Sequence, residues 1–158
     1  MKRRVPLFIV AFCSLVVLGV PSNAAAADDP DLSRASRVVV DLSEQRAYVY
    51  DGNGALKKVV LVSTGGPGHR TRVGSFLVTS RTRVGRAGGD YNVRMDYFTR
   101  FDKGIGFHGI PWRGSRDNRL TTPLGKRGVS HGCVRMADSN ARWLFLELKD
   151  GDQVVVQR

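Results

Sequence analysis

A short segment of the chain carries three side chains that together suit acyl transfer. Residues 130–136 read Ser-His-Gly-Cys-Val-Arg-Met. In an extended backbone, side chains two residues apart share one face, so His131, Cys133 and Arg135 are predicted to project together. A thiol attacks as its thiolate, and a nearby imidazole or positive charge favours loss of its proton. The segment therefore predicts a cysteine nucleophile at Cys133.

The same segment offers the other groups that acyl transfer needs. The attacked carbonyl develops an oxyanion, which needs donors about 3 Å away. Because Gly132 has no Cβ, its backbone can bend and bring the N–H groups of Gly132 and Cys133 close to that oxygen. The planar fork of Arg135 can hold a substrate carboxylate through two parallel hydrogen bonds.

A second histidine, His108, lies upstream in the segment 104–109, which reads Gly-Ile-Gly-Phe-His-Gly. In a strand, Gly106 shares the face of His108 and leaves space beside its ring. The carbonyl of Gly109 can accept from one ring nitrogen, which fixes the tautomer and leaves the other nitrogen as a base. His69, in a basic glycine-rich loop, is given no functional role.

Metal and disulfide chemistry are alternatives for these residues. His108, His131 and Cys133 are competent zinc ligands, but no CxxC or HExxH motif accompanies them. We therefore predict no metal and no cofactor. The chain has two cysteines, and the loss of Cys13 with an N-terminal signal would leave Cys133 without an internal disulfide partner.

The sequence pattern predicts that short strands, separated by turns, position these residues. The predicted strands are 37–40, 45–50, 56–63, 73–80, 93–101, 105–108 and 153–156. One helix is predicted after a cap at Asp138 or Ser139, because Ala141, Leu144 and Leu148 recur at helical spacing. This pattern predicts a mainly β domain, a sandwich or barrel, with one clear helix. Residues 81–90 are interpreted as a basic hairpin tip, and 110–129 as an irregular lid or substrate-binding loop.

The N-terminus and the charge bear on location and partners. Residues 1–27 combine three early cations, an apolar run and small residues, the pattern of a cleaved secretory signal. We therefore predict an exported protein with a signal at 1–27, a tether at 28–36 and one domain at 37–158. Loss of Lys2, Arg3 and Arg4 lowers the formal charge from +11 to +8. Such a charge favours anionic wall polymers, anionic lipid or acidic peptides, and export argues against nucleic acid.

These motifs resemble the signature of L,D-transpeptidase catalytic domains. The likeness rests on the Ser-His-Gly-Cys run and the upstream His108-Gly109, and it extends over roughly 37–156. The stretches 38–50, 62–65, 74–76 and 97–101 look similar to that family too. Residues 71–74 depart from it, with Thr-Arg-Val-Gly where the family often has Thr-Pro-x-Gly.

The resemblance implies a β catalytic domain and a ping-pong reaction on peptidoglycan stem peptides. A nucleophile would take up the third residue of a tetrapeptide stem, D-Ala would leave, and an amine of a second stem would resolve the thioester. The resemblance implies that Cys133 is the nucleophile, that His108 is the general base and that the Gly109 carbonyl orients His108. It also implies that His131, Gly132 and Cys133 stabilise the oxyanion. The residues that it implies bind the substrate are Arg135, Ser130 and Tyr97.

Two other classes of function remain open at this point. A sortase-like enzyme or a wall endopeptidase would also use a thiol, but sortases need an arginine well beyond the cysteine. Wall endopeptidases usually place the cysteine early, on a helix, whereas here His108 precedes Cys133. A non-catalytic basic wall-binding module would leave Cys133 unreactive to thiol probes and bind less tightly as salt rises.

Overall fold

A computed structural model describes residues 31–87 and 92–158, and this part of the chain folds into eleven strands and one helix. The predicted mainly β domain with one helix is confirmed. The strands are β1 (Ala35–Asp41), β2 (Arg46–Asp51), β3 (Leu56–Ser63), β4 (Gly74–Leu77), β5 (Ser80–Ala87), β6 (Val93–Asp102), β7 (Ile105–His108), β8 (Trp112–Arg113), β9 (Ser115–Arg119), β10 (Val134–Met136) and β11 (Gln153–Gln157), and the helix is α1 (Asp138–Glu147).

The strands form one continuous sheet. Their order is β4-β11-β1-β2-β3-β10-β7-β6-β8-β9, and β5 pairs with β6 outside this path. Alternating residues of β1, Val38 and Val40, are buried, and α1 contributes Ala141 and Leu144 to the same core. Burial of each valine or leucine side chain contributes about 1.5–3 kcal/mol. The core therefore stiffens the sheet on which the candidate site is built.

The N-terminal boundary of the domain differs from the prediction. The tether predicted at 28–36 includes residues 35 and 36, but these lie in β1, and Ala35 is fully buried. Arg34 just before them pairs with Asp152, with Nη1 2.6 Å from Oδ2. Alanine and serine carry weak strand propensity, so no local signal marks this start. The predicted signal at 1–27 and part of the basic tip, 88–90, lie outside the described residues.

The predicted irregular loop 110–129 contains a short hairpin. Strands β8 and β9 pair within it, and Arg116 binds the buried carboxylate of Asp96 through Nε and Nη2, both at 3.0 Å. Charged pairs rather than alternating apolar residues hold β9, which explains why its sequence shows no strand period. Within residues 31–87 and 92–158, no helix has the length and hydropathy needed to span a bilayer.

Candidate active site

Strand register sets His108 and Arg135 side by side. Strand β10 lies between β3 and β7 and runs parallel to β7, with Val134 opposite Phe107 and Arg135 opposite His108. Val134 and Phe107 belong to the core. Because side chains alternate across a strand, Arg135 and His108 project from the other face, as does Cys133. The sheet thus brings together residues that lie 25 positions or more apart in the sequence.

The segment that carries Cys133 turns before it enters β10. Gly132 has a φ of 116°, a value that side-chain-bearing residues rarely adopt, and a Cβ there would lie 2.8 Å from Ile105 Cδ1. The strand therefore starts at Val134, and the extended run expected from His131 onward is corrected. His131, Cys133 and Arg135 nevertheless line one cavity.

That cavity, here called the catalytic cavity, has a volume of about 360 Å³. Cys133 is half-buried, so a ligand in the cavity can reach its sulfur. Residues from four parts of the chain line it, namely Ala87, Val93, Met95, His108, Pro111, Arg113, Leu120, Thr121, Val129, Ser130, His131, Cys133 and Arg135. Within the described ranges, no cluster of three or more His, Cys, Asp or Glu residues fits a metal ion.

The ring of His108 is buried and oriented by its neighbour. Its Nδ1 lies 2.6 Å from the carbonyl oxygen of Gly109, the contact that the sequence predicts. The carbonyl can only accept, so Nδ1 carries the proton and Nε2 keeps its lone pair. Burial, with a smaller contribution from the charge of Arg135, lowers the pKa of His108 from 6.5 to about 4. The imidazole is therefore neutral near pH 7.

The Cys133 thiol is protonated in the resting site. Burial raises its pKa, while a backbone hydrogen bond from Gly106 and the charge of Arg135 oppose that shift. Its sulfur lies 3.9 Å from the carbonyl oxygen of Gly104. A protonated thiol that shares a cavity with a neutral imidazole must lose its proton as it attacks, so this site needs a general base.

Arg135 has unused hydrogen-bonding capacity. Its Nε is buried with no hydrogen-bond partner in the described part of the chain, and its Nη1 reaches Thr122 Oγ1 only at 3.5 Å. A buried donor without a partner is unfavourable, whereas the part of the guanidinium that lines the catalytic cavity can bind a carboxylate. The geometry suits the predicted contact between Arg135 and a substrate carboxylate.

Ser130 holds the turn that carries the nucleophile. Its hydroxyl donates to the carbonyl of Cys133 at 2.5 Å and accepts from the amide of Gly132 at 3.0 Å. The Gly132 amide, predicted as an oxyanion donor, is thus already engaged within the loop. Ser130 also lines the catalytic cavity together with Cys133.

Two further residues make contacts that the sequence does not predict. Tyr97, predicted to bind substrate, is absent from the lining of the catalytic cavity, and its ring centroid lies 5.8 Å from that of Phe145 on α1. Its positive φ of 57° turns the backbone away from the regular strand geometry. His69, for which the sequence predicts no role, lies with its ring centroid 4.1 Å from that of His131. No local pattern signals this contact, because the two residues are 62 positions apart.

Asp138 contacts the peptide group that follows His108 and Gly109. Instead of capping α1, which begins after Ala137 without a side-chain cap, its Oδ1 accepts from the amide of Ile110 at 2.8 Å. Its Oδ2 lies 2.7 Å from Arg119 Nη2. A Cβ on Gly109 would lie 2.3 Å from Asp138 Oδ1, so only glycine permits this approach. The carboxylate therefore holds the peptide whose carbonyl orients His108.

We expect Asp138→Ala to slow acylation of Cys133 about 10-fold, because small displacements of catalytic groups lower rates strongly. Asp138→Asn keeps an acceptor for the Ile110 amide and should restore most of the rate. The rate at which a covalent adduct forms on Cys133, monitored by intact-mass spectrometry, measures acylation in both variants. Equal rates in the alanine and asparagine variants at equal melting temperatures would contradict a positioning role.

The buried His108 should also make stability depend on pH. Its folded pKa of about 4 lies below the unfolded value of 6.5, so the unfolded chain binds more protons between these values. Stability is then fully present above pH 6.5 and falls as the pH drops toward 4, by up to about 3 kcal/mol. Urea unfolding at pH 7 and pH 4.5 measures this loss. The His108→Gln variant should lose clearly less stability than the wild type between pH 7 and pH 4.5. An equal loss of stability in both proteins would contradict the assignment of this pH dependence to His108.

A reachable thiol, a buried neutral imidazole and an arginine around one cavity of a mainly β domain define a site of the cysteine acyl-transfer class. The family model of the L,D-transpeptidase catalytic domain, YkuD, matches residues 35–156. The chain therefore belongs to this family.

Individual relatives agree with this assignment. Probable L,D-transpeptidase 3 of Mycobacterium tuberculosis is 32% identical over 111 residues, which are 63% of this chain and 38% of the relative. A crystal structure of an L,D-transpeptidase from M. tuberculosis H37Rv has a TM-score of 0.65 at 26% identity and covers 79% of this chain and 58% of that one. The structure of LdtMt1 in complex with imipenem has a TM-score of 0.66 at 25% identity, with coverages of 78% and 59%. The chain spans less than half the length of the curated relatives it matches.

Proposed function

We propose that this chain is a peptidoglycan L,D-transpeptidase that forms a thioester on Cys133. The thiol attacks the carbonyl of the third residue of a tetrapeptide stem, and the terminal D-Ala leaves. An amine of a second stem then resolves the thioester and forms a 3-3 cross-link, while water or another amine gives hydrolysis or exchange. The observation that carries this proposal is that the accessible thiol and the neutral His108 line the same cavity.

The first half-reaction needs one group that acts first as a general base and then as a general acid. As Cys133 Sγ forms its bond to the carbonyl carbon, Nε2 of His108 takes the thiol proton. The imidazolium that forms then donates this proton to the departing D-Ala nitrogen. The Gly109 carbonyl stabilises the imidazolium through Nδ1, as its contact with the ring raises the pKa of His108 against the effect of burial.

The groups around the thiol are assigned to charge stabilisation and substrate binding. We assign stabilisation of the oxyanion to the backbone amide of Cys133, with His131 in a supporting role. The Gly132 amide is not assigned this role because it already donates to the Ser130 hydroxyl. Arg135 is assigned to a carboxylate of the donor stem, because the residue lines the catalytic cavity and its guanidinium is not engaged in an ion pair in the described part of the chain. Ser130 acts at the substrate mainly by fixing this turn.

Location and partners follow from the same proposal. The substrate lies outside the cytoplasmic membrane, which agrees with the signal predicted at 1–27 and places the protein in the periplasm or the cell wall. The donor and the acceptor are stem peptides of peptidoglycan, and no cofactor enters the reaction. The exposed cations of the domain also favour contact with anionic wall polymers.

The test uses defined muropeptides and the purified protein. With disaccharide-tetrapeptides, mass spectrometry should show released D-Ala and a dimer joined between third residues. Imipenem, which is bound to the related LdtMt1, should add its mass to Cys133. Release of D-Ala without any dimer would show that the protein is a carboxypeptidase and does not cross-link. The absence of any reaction with the muropeptide and with imipenem would overturn the proposal.

A further inference from the structure

A second cavity, here called the basic cavity, adjoins the catalytic cavity. It has a volume of about 670 Å³ and shares Val129, Ser130 and His131 with the catalytic cavity, so these residues form a common wall. The loops 64–71 and 126–131 supply most of its remaining lining, together with Leu42, Ser43 and Gln45. The neighbouring rings of His69 and His131 therefore lie at the border between the two cavities.

The charge of the basic cavity is one-sided. Four cationic side chains line it, those of Arg70, Lys126, Arg127 and Arg158, and no aspartate or glutamate is among its lining residues. In the described ranges, ion pairs engage Arg72 with Asp102 and Arg119 with Asp138, but none engages the cationic side chains of the cavity. Unpaired cations around a concavity attract anions and repel ammonium groups.

The wall of the basic cavity is bonded directly to the loop of the nucleophile. The buried hydroxyl of Thr71 accepts from the Gly65 amide at 2.9 Å and donates to the Gly132 carbonyl at 2.7 Å. The Gly66 amide donates to the carbonyl of Ser130 at 2.9 Å. A ligand held here is therefore held at a fixed position relative to Cys133.

We propose that the basic cavity binds the carboxylates of the acceptor stem peptide, an inference that rests on the proposed transpeptidase function. The cations bind the carboxylates and exclude the side-chain amine of the same peptide. The amine is thereby left at the common wall, next to the thioester on Cys133. A peptide is favoured over a phosphate polymer because the cavity shares a wall with the cavity of Cys133, and formation of the cross-link needs an amine-bearing ligand beside that wall.

The transfer step balances without a further reactant. The neutral amine nitrogen forms a bond to the thioester carbonyl carbon, the carbon–sulfur bond breaks, and its electron pair goes to Cys133 Sγ. The proton lost by the nitrogen passes through His108 to the sulfur. The products are an amide between two stems and the free thiol, ready for another donor.

The experiment compares the full-length double variant Lys126→Gln/Arg127→Gln with Arg83→Gln/Arg142→Gln, which removes two exposed arginines outside both cavities. We expect the KM for a tetrapeptide acceptor to rise about 5- to 10-fold in the first variant and to stay unchanged in the second. The rate of thioester formation with the donor alone should be the same in both. An acceptor with amidated carboxylates should bind the wild type weakly and be insensitive to the double substitution.

The outcomes separate the two proposals. Normal thioester formation with equal acceptor KM in both variants would overturn the basic-cavity proposal and leave the transpeptidase function intact. Loss of binding to a phosphodiester polymer, with no change in acceptor KM, would assign the cavity to that polymer instead. Failure of the wild-type protein to form any thioester with the donor stem would overturn both.

Discussion

Replacement of Cys133 by alanine should abolish both D-Ala release and the imipenem adduct, with a fall in rate of at least about 10³-fold, as removal of a catalytic nucleophile does in other covalent enzymes. The reason is that no other described residue of the catalytic cavity offers a thiol, and Cys133 is the one cysteine within the described ranges. Intact-mass spectrometry after drug treatment and quantification of released D-Ala measure the two losses.

The matched control for this variant is Cys133→Ser, which keeps the size of the side chain and its position beside Gly104. Because a hydroxyl is a far weaker nucleophile than a thiolate, the serine variant should be almost as inactive as the alanine variant. Both should unfold within about 1 kcal/mol of the wild type, since Cys133 is half-buried at the edge of a cavity. A persisting adduct in the alanine variant would show that another residue takes up the acyl group.

Local patterns are sufficient to predict most of the strands and to single out the residues of the candidate site, but not β5, which occupies 80–87 where the sequence predicts a hairpin tip at 81–90. Alternating burial in β2 follows from its sequence, in which Ala47 and Val49 alternate with two tyrosines, and the turn signals at 51–54 fall at the junction of β2 and β3. The contact between His108 and the Gly109 carbonyl involves adjacent residues, so the sequence contains all that it needs. These features depend on neighbours in the chain, which is why they could be predicted.

Features that depend on distant residues could not be predicted in this way. The parallel pairing of β10 with β7 brings Arg135 beside His108, and nothing in either segment specifies that register. The hairpin of β8 and β9 is held by Asp96, which lies in β6 and gives no signal within residues 110–129. The backbone of Tyr97 has a positive φ, which is uncommon for an aromatic residue, so regular alternation along β6 does not give its side-chain direction.

Substitution of His108 by glutamine should lower the rate of acylation by about 10²- to 10⁴-fold at pH 7, the range typical of a lost general base. Glutamine can fill much of the buried site between Phe98 and the Gly109 carbonyl, but it cannot take a proton. The measurement is the rate of imipenem adduct formation on Cys133, followed by mass spectrometry under single-turnover conditions. His69→Gln is the control, because it changes a histidine near the site that has no part in the proton transfer.

The pH profile distinguishes loss of the base from distortion of the site. In the wild type the base is the neutral imidazole, so acylation should be nearly constant from about pH 5 to 8 and fall only as His108 becomes protonated near pH 4. In His108→Gln the thiol must ionise before it attacks, and burial raises the pKa of that thiol. The rate of the variant should therefore rise about tenfold per pH unit across the same interval. A distorted site with its base intact would give a slower but equally flat profile, so a flat profile in the variant would contradict the role of His108.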